Sequence, residues 1–173
     1  MTRLLGIDLG ERRIGVAVAD TDGSGARPLA TLRRGRDPEA DAAVIERVVA
    51  DQGADELVVG LPLERSGDEG PQAQLARAWA DLIGQRLGMP VSLRDERLSS
   101  EDAERRLGPM KRGRGGGPPT AAQREVYRSR VDREAAAIIL QDELDARAAA
   151  DAGRTPAPRA SSPEPPAGME NSR

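Results

Sequence analysis

The sequence predicts an α/β fold: a mixed five-stranded sheet, three antiparallel strands then two parallel ones, flanked by helices. Two observations carry this. Three apolar, strand-like runs open the chain, and the link between the first two is short enough for an antiparallel hairpin. After them, strand-like and helix-like runs alternate. Right-handed crossovers then extend the sheet with parallel strands and lay helices on its faces. At 173 residues the chain is long enough for one ordinary domain with a core.

The elements follow in order. "RLLGIDLG", Arg3–Gly10, is a short apolar run with one acid near its end, read as a buried strand. "ERR" is a turn, and "IGVAVAD" is the second strand. "TDGSG" is a loop. "RPLATLRR" is the third strand, with Pro28 near its start, where proline is tolerated. "DPEADAAVIERVVADQG" reads as a helix: Asp37 is a fitting N-cap, Pro38 fits the first helical position and Gly53 fits the stop. "DELVVGLP" is a buried strand. "QAQLARAWADLIGQRLG" is a second helix with Leu75, Trp79, Leu82 and Ile83 expected on one face. "PVSLRDER" is the fifth strand and "SSEDAERRLG" a helix, with Ser99 or Ser100 as its cap.

The glycine- and proline-rich stretch "PMKRGRGGGPPTAAQ" is read as a flexible basic loop spanning 109–125, and a final helix is expected at least from Val131. The domain is therefore assigned to 1–147. The Pro/Ser/Ala-rich remainder, 148–173, lacks an apolar period and is expected to be a disordered tail.

Composition excludes much of the usual chemistry. The chain has no histidine and no cysteine. A Ser-His-Asp relay, a thiol nucleophile, a disulfide framework and a Cys/His zinc site are all excluded. Carboxylates, hydroxyls, arginine and backbone amides remain, together with hard oxygen-liking metals such as Mg²⁺ or Mn²⁺. The net charge of −3 does not announce nucleic-acid binding, but its distribution is uneven. The positive charge is nearly all arginine, Lys111 being the sole lysine. Arginine's planar fork suits phosphate, and a GC-rich genome would give the same bias. No apolar run is long enough to span a bilayer and no secretory signal pattern opens the chain, so a cytoplasmic protein with no membrane partner is expected. With one Trp, one Tyr and no Phe, a base-stacking platform is nearly ruled out.

Three acidic positions stand out. Asp8 lies near the end of the first strand between Gly6 and Gly10, where a buried charge needs a partner or a metal. It could equally cap the hairpin turn. Asp95 and Glu96 lie at the end of the fifth strand, and sites in open sheets form outside the carboxyl ends of strands. Such a pair could also be a solvated strand end. Asp132 precedes the apolar positions Ala135, Ala136, Ile139 and Leu140 by helical spacing and shares their inward face. Its ordinary reading is an acid stabilised by the helix dipole, worth under about 1 kcal/mol. Singly each is weak. Three acids from separate elements are what a two-metal phosphodiester site requires, with ions roughly 3.5–4 Å apart, and such a site needs no histidine.

"GIDLGERRIGVAVAD", "ELVVGLPL", "DERLSS" and "VDREAAAIILQ", in that order, resemble the YqgF family of Holliday-junction-resolvase-like or pre-16S rRNA nucleases, over about Leu4 to Leu144. That family is similar to RuvC-type resolvases and has the RNase H-like fold. The resemblance implies Asp8, Glu96 and Asp132 as catalytic metal ligands. It makes Asp95 a supporting residue, with Arg97 and Ser99 orienting the acids or touching phosphate. It further implies a two-metal site for Mg²⁺ or Mn²⁺. The expected reaction is endonucleolytic processing of the 5′ end of precursor 16S rRNA, with ribosomal precursor particles as further partners. The family pattern more often has threonines where Ser99 and Ser100 stand, and usually a shorter basic stretch than this one.

Alternatives are a Holliday junction resolvase acting on branched DNA, and a non-catalytic RNA- or ribosome-binding module. An actin-like or sugar-kinase ATPase also opens with a strand, an acid and glycines, but it needs two such domains. Arg106, Lys111, Arg112, Arg114 and Arg130, between the second and third acids, are expected to clamp a nucleic-acid backbone.

Overall fold

The structure, a computed structural model, describes residues 1–153. Its elements are β1 (Arg3–Leu9), β2 (Arg13–Asp20), β3 (Arg27–Arg33), α1 (Pro38–Gln52), β4 (Glu56–Leu61), α2 (Pro71–Leu87), β5 (Val91–Asp95), α3 (Ser99–Leu107) and α4 (Ala121–Ala152). The sheet order is β3-β2-β1-β4-β5. The pairs β1/β2 and β2/β3 are antiparallel, and β1/β4 and β4/β5 are parallel. This is the mixed five-stranded arrangement the sequence predicts. It puts β1, the strand of Asp8, at the centre.

Alternation along the strands splits the core into two layers. Leu5, Ile7, Ile14, Val16, Leu57 and Val59 face α1 and α2, which contribute Ile45, Trp79 and Ile83. Leu4, Ala17, Ala19 and Val58 face α4 through Ala136, Ile139 and Leu140. The second face is built of smaller residues, so α4 lies close to the sheet. At Gly15 the approach is closest: a Cβ there would fall on the carbonyl oxygen of Asp132. Helix α3 packs on the outer side of α4, where Ala103 meets Val131, Ala135 and Ile138.

Local signals act as expected at α1. Asp37 accepts the Ala40 backbone N–H at 2.8 Å, Pro38 opens the helix, and Gly53 ends it with φ 61°. Elsewhere the structure corrects the sequence reading. Leu75 is 63% exposed; α2 buries Trp79 and Ile83 as expected, together with Ala73, Ala76 and Ala80. Neither serine caps α3. The N-cap is Leu98, and Ser99 sits inside the first turn with its N–H and Oγ both donating to the Glu96 carbonyl at 3.0 Å.

The segment expected to be loop over 109–125 is regular sooner than predicted. Thr120 and Gln123 form a reciprocal capping box, and α4 starts at Ala121. A short 3₁₀ turn also interrupts the loop at Arg114–Gly116. At its other end α4 continues through Ala152, so 148–152, assigned to the tail, are helical. Residues 154–173 of the expected tail lie outside the described residues.

One buried acid was not singled out in the sequence. Asp41, fully buried in α1, accepts from Trp79 Nε1 at 2.9 Å, Arg34 Nε at 2.7 Å and the Gly35 N–H at 2.6 Å. It ties α1 to α2 and to the segment after β3. Among the described residues, no helix is long and apolar enough to cross a membrane.

Candidate active site

Asp8 stands one position before the end of β1, paired in register with Gly15 of β2, on the face covered by α4. Because the parallel neighbour β4 continues in step with β1, its Gly60 flanks the same end of the sheet. Glu96 follows β5 directly. Its N–H donates to the Leu61 carbonyl at 3.2 Å, and Ser99 holds its own carbonyl, so the backbone is fixed from both sides. The Glu96 carboxylate folds back over β4: a Cβ at Gly60 would fall on Glu96 Oε2 and 2.8 Å from Ile139 Cδ1. Glycine at position 60 is therefore a spatial requirement of the site.

The three predicted acids interact in a chain with Asp8 in the middle. Burial first, and the charge of Asp132 second, push Asp8 up to about 7. Burial first, then the charges of Asp8 and Asp95, push Glu96 up to about 8. Glu96 Oε2 is buried with no hydrogen-bond partner among the described residues. A buried, unpaired carboxylate oxygen beside a second carboxylate is a costly arrangement, and a cation relieves it.

Asp132 is tied differently. Arg13, in the first position of β2, donates Nε to Asp132 Oδ2 and Nη1 to Glu125 at 3.3 Å. Arg13 is the residue of this site that the sequence reading missed. It is 119 positions away from Asp132, and nothing local marks it. No group of three or more acids among the described residues is gathered to hold a metal ion. The hard, anionic oxygens of Asp8 and Glu96, one of them orphaned, do fit a divalent ion.

The supporting residues take distinct positions. Asp95 and Arg97 pair with each other at 2.7 Å. Together with Glu96 and Ser99 they line a cleft of about 880 Å³ whose far wall includes Asp142. Ser99 is buried and acts on the Glu96 backbone.

The predicted basic clamp is scattered. Arg106 pairs with Glu134 of α4 at 3.3 Å. Lys111 and Arg130 line a separate hollow of about 280 Å³ with Met110 and Tyr127, and neither lines the clefts that hold Glu96 and Asp132. Arg112 donates to the Gly116 carbonyl at 3.5 Å, and Arg114 lies in the 3₁₀ turn.

A family model described as "RuvX: Holliday junction resolvase" matches residues 2–146. The chain belongs to the RuvX family. This is the family, also called YqgF, that the sequence motifs resemble. A RuvX relative from Anaeromyxobacter dehalogenans (strain 2CP-1) is 49% identical over 146 residues, covering 84% of this chain and 98% of its own. One from Chloroflexus aurantiacus (strain J-10-fl) is 43% identical over 144 residues, covering 83% and 87%. Both carry the name "Putative pre-16S rRNA nuclease". Among solved structures, Thermus thermophilus RuvC aligns over 86% of this chain and 97% of its own, at 17% identity and a TM-score of 0.48.

Proposed function

We propose that this protein, a nuclease by family, is a metal-dependent endonuclease that acts on structured nucleic acid and processes the 5′ end of precursor 16S rRNA in the cytoplasm. The observation that carries the metal dependence is Glu96 Oε2, buried and unpartnered beside Asp8. Asp8 and Glu96 would hold Mg²⁺ or Mn²⁺, and Asp132 would complete the set as the third ligand on turning from Arg13, which engages it in this structure. Such ions, when bound, neutralise charge that builds on a phosphodiester under attack by water.

The chain's own residues prepare that site. Gly60 leaves the space into which Glu96 turns, and Ser99 fixes the Glu96 backbone. Arg13 orients Asp132 and balances its charge. Support for rRNA comes from the names of the 43–49% identical relatives. The family description supports branched DNA as the competing substrate.

The test is cleavage of precursor rRNA and of a four-way DNA junction by purified protein, with and without Mn²⁺. Cleavage of the rRNA that needs the ion and vanishes in Asp8→Asn and Asp132→Asn is the expected result. Equal cleavage by wild type and both variants would sink the site assignment. Cleavage confined to the junction would move the function to DNA.

A further inference from the structure

Asp132 lines a second cleft, of about 830 Å³, between the β1–β2 turn, the end of β3 and the first half of α4. Five arginines face it, against three carboxylates, Glu11, Glu125 and Asp132. Two of the five are committed. Arg13 holds Asp132 and Glu125. Arg34 holds buried Asp41 and donates Nη1 to the Gly10 carbonyl at 2.8 Å. The side chains of the other three, Arg12, Arg33 and Arg128, are in exposed positions and form no ion pair among the described residues.

We infer that this cleft is a binding site for the nucleic-acid backbone, in which Arg12, Arg33 and Arg128 contact phosphates next to the one being cleaved. Unpaired guanidiniums converging on one concavity repel one another, and phosphate oxygens relieve that repulsion through forked, charge-assisted hydrogen bonds. The framework is fixed: Arg34, clamped between Asp41 and Gly10, pins the β1–β2 turn that carries Arg12. The position is apt, because Asp132 forms part of the same wall. The backbone would run from the acids towards β3. The hollow of Lys111 and Arg130 is separate, so this site is not the predicted basic loop.

The inference rests on the nuclease reading, and binding separates the two. Equilibrium binding of a labelled RNA hairpin and of a four-way DNA junction, in EDTA so that the substrate survives, is measured across a salt series. The proteins are wild type, the triple variant Arg12→Ala/Arg33→Ala/Arg128→Ala, and a control, Arg47→Ala/Arg86→Ala. The control removes exposed arginines on α1 and α2 that form no ion pair among the described residues. On duplex DNA, every phosphate that an arginine no longer neutralises takes about 0.9 from the slope of log affinity against log salt. The triple variant should bind more weakly to both substrates, with a slope shallower by nearly three such steps, while the control keeps the wild-type slope. A wild-type slope in a folded triple variant, or an equal flattening in the control, overturns the cleft and leaves the nuclease reading standing if wild type still cleaves. If wild type binds neither substrate, both readings fall.

Discussion

At the scale of the residue, the acids set the pH behaviour. Asp8 and Glu96 ionise at about 7 and about 8 in the metal-free fold. In an unfolded chain they would ionise near about 3.9 and 4.3. Between those limits the folded chain keeps protons at these two acids that the unfolded chain has released, so their contribution to folding stability falls as pH rises from about 4 to about 8. Metal-free wild type should melt at a lower temperature at the top of that window than in its middle, and Asp8→Asn should show a flatter dependence in the same melts. Gly60 gives a second expectation. Gly60→Ala drives a methyl group into Glu96 Oε2 and Ile139, costing about 1–3 kcal/mol by overpacking. Cleavage should fall further than thermal stability, because the atom most closely struck is the Glu96 carboxylate oxygen that the proposed site uses; parallel assays of rate and melting temperature check it. Neither Arg13 nor the role of Gly60 was legible in the sequence. Both depend on which strands and helices become neighbours, and that information is spread over the whole chain.

At the scale of the element, legibility tracks how local the cause is. The Asp37-Pro38 start and Gly53 stop of α1 are written within a turn of each boundary, and they hold. The start of α4 is written just as locally, as Thr120 followed by Gln123 three positions on. The glycines and prolines before it masked that signal. Thr120→Ala should cost about 1 kcal/mol. It should also raise amide exchange over the first turn of α4 without loosening β1, as site-resolved hydrogen exchange would show. The apparent cap at Ser99 failed for a different reason. Its hydroxyl is drawn to the Glu96 carbonyl, so a residue that looked like helix punctuation positions the site. Leu75 failed because the small side chains Ala73, Ala76 and Ala80 fill the tight contact under α2, which a count of large apolar residues overlooks.

At the scale of the whole molecule, the order of strands was implied by the hairpin and the crossovers, and three acids distant in sequence fall at one end of the sheet. What could not be read was the internal strut. Asp41 looks like an acid placed for the helix dipole, yet it is fully buried and joins α1, α2 and the β1–β2 turn through Trp79 and Arg34. Asp41→Ala strands a guanidinium and an indole N–H, and should cost about 3 kcal/mol or more in denaturant unfolding. Arg34→Ala in the same series would separate loss of the ion pair from loss of the indole bond. Asp8 sits on the central strand of the five, with helices over both faces and partners at both edges, so its backbone should come free only when the molecule unfolds globally. Glu96 hangs from the end of a five-residue edge strand, with α3 beyond it. The two acids thus differ in what anchors them, Asp8 a strand paired on both edges and Glu96 three hydrogen bonds to Leu61 and Ser99, so local opening at the sheet edge should expose Glu96 before Asp8.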